Sequence, residues 1–112
     1  MAQATTIILL PQTGYSGTRD IIGESKPAAA YYLGNQDLQT LSWSTTVFNG
    51  LITVQASLSE TPTNDDWFTV FTLPGNELTV NGFQNISGNF VRLRVKVTNF
   101  TRGVIQNFKV SY

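Results

Sequence analysis

The chain has 112 residues, of which 41% are hydrophobic and 12% charged, and its formal net charge at pH 7 is zero. This length predicts one domain with a single core, and the charge balance argues against a bulk electrostatic affinity for nucleic acid. The absence of cysteine and histidine excludes a disulfide framework and removes the commonest nucleophile, general base and metal ligands. Apolar runs fall short of the roughly 18 residues that a membrane helix needs, so we expect no membrane partner.

The predicted elements are short strands separated by turn residues. In chain order, the strands are predicted at residues 5–10, 28–33, 40–48, 51–58, 67–73, 78–80, 90–98 and 104–112. Residues 12–26 are polar and contain three glycines, which predicts an ordered arm or a long mobile loop. The spacing predicts an all-β fold, an antiparallel β-sandwich or jelly roll of seven to eight strands in a single domain over residues 1–112.

Two predicted hairpins organise these strands. Asn49-Gly50 stands between two alternating runs, and both residue types tolerate positive φ, so we predict a two-residue hairpin turn there. Residues 99–103 are predicted to close a second hairpin, between the strands at 90–98 and 104–112. Residues 74–76 are predicted to end the strand at 67–73.

The alternation of apolar and polar residues predicts which face is buried. The predicted central core consists of Ile52, Val54, Leu58, Leu93, Val95 and Val97. Trp43 is in phase with Leu41 and is also assigned to the core. The alternate positions of one strand place Arg92, Arg94 and Lys96 together on its outward face.

The acidic loop before Trp67 is the only candidate for a metal site. Asp65 and Asp66 are adjacent, and Glu60 and Asn64 are near them in sequence, so the loop resembles a set of oxygen ligands for Ca²⁺. The alternative is a solvated loop that caps the strand at Trp67, and this is our prediction. We expect no catalytic residue, no cofactor and no bound metal.

Aromatic and basic side chains supply the candidate partner contacts. Tyr15 lies in the polar arm, and Tyr31-Tyr32 lie in a strand where one ring must face outward, so these rings are candidates for a protein or glycan surface. The Arg92/Arg94/Lys96 row is either a solvated face, an acidic-subunit contact or, less readily, a nucleic-acid contact. Aromatic interleaving of the RNA-binding kind is absent from it.

Charge is distributed unevenly along the chain. Residues 90–112 contain five basic and no acidic residues, whereas residues 1–89 contain two basic and seven acidic ones, a net charge of 2 − 7 = −5. We therefore expect a homo-oligomer in which the arm, with Tyr15 and Arg19, contacts another chain. The Arg92/Arg94/Lys96 row is a second candidate for that interface.

Two segments resemble a known family. Residues 48–70 (FNGLITVQASLSETPTNDDWFTV) combine an alternating I-x-V-x-A-x-L run with a proline-containing loop that ends in Asp-Trp-Phe, and residues 88–112 carry N-F-V-x-x-R-x-K-V before a terminal strand. Both resemble segments of small structural proteins of tailed bacteriophages, notably T4-like phages of marine cyanobacteria, and together they cover about half of the chain. Residues 1–37 show no such resemblance.

The resemblance implies a virion component without catalytic activity, and therefore no catalytic residues. The expected function is that of an exterior decoration protein or a small neck, tail or fibre protein, with capsid or tail proteins as partners. The alternative is a carbohydrate-binding β-sandwich that acts as an adhesin, and a weaker alternative is a calcium-dependent accessory domain of an enzyme.

Overall fold

The computed structural model describes residues 6–17, 20–28, 38–88 and 90–111. Within these ranges the fold is all-β and antiparallel, as the sequence predicted. The strands are β1 (Thr6–Leu10), β2 (Thr13–Gly14), β3 (Ile21–Ile22), β4 (Lys26–Pro27), β5 (Leu38–Ser57), β6 (Phe68–Ser87) and β7 (Arg92–Ser111), and a 3₁₀ turn covers Asn64–Asp66.

Three strands of 20 residues form the centre of the fold. β5 pairs with β6 on one side and with β7 on the other. The outer edge of β7 pairs with β1, β2, β3 and β4 in turn, from Thr6 beside Ser111 to Pro27 beside Arg92. The described residues between 6 and 28 therefore form one interrupted strand along the full length of β7.

Each of the three long strands bends sharply near its middle. Leu38 at the start of β5 pairs with Ser87, while Ser57 at its end pairs with Arg92. Only residues 88–91 connect Ser87 to Arg92, and such a link spans at most about 18 Å. A straight strand of 20 residues would be roughly 66 Å long, whereas the longest dimension of the molecule is 38 Å. The two ends of β5 are close together, so the sheet folds over into two layers.

Each long strand contributes one half to each layer. The first layer contains β1 and β2, residues 104–111 of β7, 38–46 of β5 and 78–87 of β6, and the second contains β3 and β4, residues 92–98, 51–57 and 68–74. If these eight described pieces are numbered along the chain, their spatial order is 1-8-3-6 in the first layer and 2-7-4-5 in the second. This double-sheet arrangement of eight strands is a jelly roll.

The bend occurs at one place in all three long strands, which we call the three-strand corner: residues 45–50 of β5, 74–78 of β6 and 99–103 of β7. The pairing register shifts there, as expected for β-bulges, which bend a strand and increase its twist. Left-handed backbone accompanies the shifts, at Val47 (φ 47°), Glu77 (φ 52°), Asn99 (φ 54°) and Gly103 (φ 93°). A Cβ at Gly103 would collide with the carbonyl oxygen of Val47, so this position requires glycine.

The predicted hairpin at Asn49-Gly50 is wrong. Phe48 pairs with Leu78 and Leu51 pairs with Pro74, so the residues on either side of the supposed turn face β6 rather than each other. The predicted breaks at residues 74–76 and 99–103 are wrong for the same reason, since β6 and β7 continue through them. Asn and Gly supply positive φ to bulges as readily as to turns, and the sequence pattern does not distinguish the two.

The core lies between the two layers and agrees with the predicted phase. Ile52, Val54, Leu93, Val95 and Val97 are fully buried, together with Phe48 of β5 and Phe100 and Phe108 of β7. Trp43 is 8% exposed and stacks between Phe71 and Phe108, at centroid distances of 5.1 and 5.5 Å. Leu58 was predicted in the core but is 63% exposed. It follows the last residue of β5, where the alternation of faces no longer applies.

The predicted arm at residues 12–26 contributes to the sheet in its described part. β2 and β3 pair with β7, the amide of Tyr15 donates to the carbonyl of Gly103, and the amide of Gly23 donates to that of Val95. Asp20 accepts a hydrogen bond from the amide of Asn99 at the corner, 3.2 Å away. These bonds connect the segment to its own chain along most of its described length.

Candidate binding surfaces

The outward row of β7 lies on the exterior of the second layer, and Arg94 is its most constrained member. Its guanidinium carbon lies 4.3 Å from the centre of the Trp67 ring, and its Nε donates to Oε1 of Gln55 at 2.8 Å. Loss of water around the half-buried guanidinium lowers the pKa of Arg94, although an arginine remains charged at neutral pH. The side chain therefore ties three segments of its own chain together.

The other two cations of the row differ from Arg94. Nε of Arg92 donates to the carbonyl oxygen of Glu60 at 3.2 Å and so holds the loop that follows β5. Lys96 lies between Ile22 and Thr53 in the register of the sheet, and no ion pair to it is present among the described residues. The row is in place as the sequence predicted, but two of its three cations have structural partners.

Charge neutralisation also occurs within the chain at the three-strand corner. Arg102 of β7 lies 3.3 Å from Glu77 of β6, and both side chains are more than 60% exposed. The amide of Glu77 is bonded to the side-chain oxygen of Asn49. Part of the charge contrast between residues 1–89 and 90–112 is thus satisfied inside one molecule.

The aromatic candidates are only partly described. Tyr15 is 45% exposed, and its ring lies 5.6 Å from that of Phe100, so it covers the corner of its own chain while one side remains free. Arg19, Tyr31 and Tyr32 lie outside the described residues. Within the described ranges, the other exposed rings are Phe68 and Phe83, which belong to different layers. No two exposed rings among the described residues share one face.

The acidic loop is organised by a cap. The amide of Thr63 donates to Oδ2 of Asp66 at 2.7 Å, and the amide of Asp66 donates back to the carbonyl of Thr63 at 3.1 Å. Asp66 thus bonds back to the amide of the residue that begins the turn, as the acidic residue of a capping box does, while its own amide closes the 3₁₀ turn. Asp65 is exposed, and within the described ranges no group of three or more His, Cys, Asp or Glu residues is placed to hold a metal ion.

A groove of about 360 Å³ opens where the N-terminal edges of the two layers meet. Its walls are aliphatic, from Ile8, Leu10 and Ile21, and its rim carries the Lys26–Glu24 ion pair at 3.0 Å. The two rim charges satisfy each other, and no other charged side chain of the described residues lines the groove.

The free side of β6 is the surface that the sequence analysis missed. β6 pairs only with β5 among the described strands, and Ile86 alone of its described residues is buried. Phe83 is 70% exposed and Val80 is 38% exposed, and the sequence assigned neither of them to a binding surface. Period-two alternation assigns residues to faces but does not say which strand lies at the edge of a sheet, so the signal needed was the strand order.

No helix among the described residues is long and apolar enough to cross a membrane. No protein-family model matches the sequence, and no curated protein matches it. Two solved structures are similar in fold, those of the Gx and Gt strains of infectious bursal disease virus. They share 12% and 14% identity with this chain, with TM-scores of 0.41 and 0.37 over 98% and 97% of it. The chain spans about a third of the length of each (32% and 31%), and similarity at this level carries no argument about function.

Proposed function

We propose that the protein is a non-enzymatic structural component of a tailed-phage virion, either an exterior decoration protein or a small neck, tail or fibre protein. The observation that carries the proposal is that three side chains capable of binding or catalysis are engaged in contacts within the chain. Arg94 is bound to Trp67 and Gln55, Arg92 to the Glu60 carbonyl, and Asp66 to Thr63. Such contacts stabilise a rigid exterior module and leave little that could act on a substrate.

The sequence resemblance supports the same role. Residues 48–70 cover the second half of β5, the capped loop and the start of β6, and residues 88–112 cover the whole of β7. The resemblance therefore falls on adjacent strands of one sheet. Ordered strands in a Thr- and Asn-rich, cysteine-free chain suit a surface exposed to proteases and oxidants. In this proposal the protein is located in the virion, forms homo-oligomers and contacts capsid or tail proteins.

The carbohydrate-binding alternative has weaker support. A sugar platform needs neighbouring exposed rings, and Phe68, Phe83 and Tyr15 lie on different parts of the described surface. We retain it as an outcome of the experiment rather than as a second proposal.

Quantitative mass spectrometry of particles purified through a density gradient tests the proposal. We expect this chain to co-sediment with the particles at a constant ratio to the major capsid protein across the peak fractions. A non-structural protein from the same lysate provides the matched control, because it should fall away through the gradient. If this chain follows that control while the purified protein binds on a glycan array, the adhesin alternative replaces the virion role.

A further inference from the structure

The two exposed edges of this sandwich are built differently. On the N-terminal edge, four strands of two to five residues are interrupted by proline and charged side chains, including Pro11, Glu24 and Lys26. Short, charged and proline-containing strands are the usual means by which proteins prevent edge-to-edge association. The β6 edge has 20 continuous residues, with its proline, Pro74, and its only charge, Glu77, both at the three-strand corner.

The part of β6 beyond the corner has none of this protection. Residues 78–87 (LTVNGFQNIS) contain no charge and no proline, and they form an unbroken strand whose outer edge has no described partner. Phe83, with 70% of its surface exposed, lies in the middle of this segment and points away from the core, opposite Ser42. A long, uncharged edge that carries an exposed aromatic ring is a template for pairing with another strand.

We propose that residues 78–87 pair antiparallel with the same residues of a second copy, about a two-fold axis near Gly82 and Phe83. This inference does not depend on the virion role. An uncharged segment meets its own copy without bringing like charges together. With Gly82 at the axis, Glu77 faces Ser87 of the second copy, and its own partner Arg102 remains beside it. The amide side chains of Asn81, Gln84 and Asn85 both donate and accept, so they suit a copy of themselves.

Self-pairing also covers Phe83, the most exposed aromatic ring in the part of the chain that the structure describes. An axis at Phe83 places the two rings directly opposite one another, and an axis at Gly82 places them on the diagonal, roughly 7–8 Å apart. Either register buries both rings against each other, and an isologous two-fold contact is the commonest form of homo-oligomer. The second copy continues the first layer across the axis, from four strands to eight.

Because the chain contains no cysteine, single-cysteine variants report on this contact directly. We choose Asn81→Cys and Phe83→Cys on the β6 edge, with Ile8→Cys, 52% exposed on the opposite edge of the same layer, as the matched control. Gly82 is left unchanged because a Cβ there would lie 2.7 Å from Nε1 of Trp43. Directly opposite Cα atoms are about 4.5–5.5 Å apart, which a disulfide can span. An axis at Phe83 places Phe83→Cys opposite itself, and an axis at Gly82 places it opposite Asn81→Cys, so the two variants are oxidised separately and as an equimolar mixture.

We expect copper-phenanthroline to form reducible covalent dimers of Phe83→Cys alone or of its mixture with Asn81→Cys, while Ile8→Cys remains monomeric on a denaturing gel. In analytical ultracentrifugation the unmodified protein should sediment as a dimer. Phe83→Lys should lose the dimer yet stay folded, with a melting temperature that no longer depends on protein concentration, and Ile8→Lys should keep the dimer. Cross-linking of Ile8→Cys equal to that of the β6 variants, the absence of a covalent dimer both from Phe83→Cys and from the mixture, or a monomer whose sedimentation Phe83→Lys does not change, would overturn the proposal, including the case in which a different protein occupies this edge.

Discussion

The guanidinium of Arg94 is stacked 4.3 Å above the Trp67 ring, so β7 holds the segment that enters β6 although β5 lies between the two strands. Arg94 also donates a hydrogen bond to Gln55 of β5, the strand that lies between them. Its side chain therefore contacts all three segments. The cation is therefore a structural member of the second layer.

Arg94→Ala should lower the free energy of unfolding by about 1–2 kcal/mol, because it removes a partly desolvated cation–π contact and a charge-assisted hydrogen bond. The free energy of unfolding of Arg94→Lys should lie between those of the unmodified protein and Arg94→Ala, since an ammonium keeps the charge but not the planar fork. Lys96→Ala, two residues along the same face, is the matched control, with an expected change within about 0.5 kcal/mol. Equal urea midpoints for the two alanine variants would contradict the assigned role of Arg94.

Gly103 at the three-strand corner can be compared with Gly17, which has nearly the same φ. Gly103 and Gly17 have φ of 93° and 95°, but a Cβ at Gly103 meets the backbone of Val47, whereas one at Gly17 has nothing within 4 Å. Gly17→Ala should cost about 1–2 kcal/mol for the left-handed conformation alone. Gly103→Ala should cost clearly more, as measured by thermal or chemical denaturation. Equal costs would mean that the close approach at the corner is absent in solution.

Burial in the core is tested by the same change, Val→Ala, at one buried and one exposed position. Val95 is fully buried, and Val80 is 38% exposed on β6. Val95→Ala should lower stability by about 1–3 kcal/mol through lost burial and a residual cavity. Val80→Ala should change it by less than about 0.5 kcal/mol. An unchanged urea midpoint for Val95→Ala would show that the register assigned to β7 is wrong.

Because the acidic loop is capped by its own residues, we expect the stability of the protein not to depend on calcium. Oδ2 of Asp66 is engaged with the amide and hydroxyl of Thr63, at 2.7 and 3.2 Å, while Asp65 is exposed. Asp66→Ala should cost about 0.5–2 kcal/mol as the loss of a cap, and Asp65→Ala should be nearly neutral. A bound ion would stabilise the folded state by mass action. A calcium-dependent rise in melting temperature that Asp66→Ala abolishes would therefore reinstate the metal site.

Local sequence patterns located much of the three long strands and predicted the buried faces of β5 and β7. Alternation placed Val54, Leu93 and Val95 inward correctly, because a side-chain period of two is a property of each strand alone. The same alternation failed at Leu58, one residue beyond β5, where the chain leaves the sheet.

Connectivity could not be obtained in this way. Asn49-Gly50 has the composition of a hairpin turn, yet here it lies in a corner through which β5 continues into the other layer. The difference depends on which strand stands beside Phe48, and no local pattern records that. The Arg94–Trp67 stack and the exposed β6 edge were missed for the same reason, since both follow from the order of strands in the sheet.

All of these assignments depend on the jelly-roll path of β5, so cross-strand nuclear Overhauser effects on labelled protein give the most direct test. The path described here brings Thr45 next to Val80, and Thr53 next to Lys96. A hairpin at Asn49-Gly50 would instead bring Thr46 next to Thr53. We expect backbone contacts for the first two pairs and none for the third; contacts between Thr46 and Thr53 without the other two would contradict the fold and every surface derived from it.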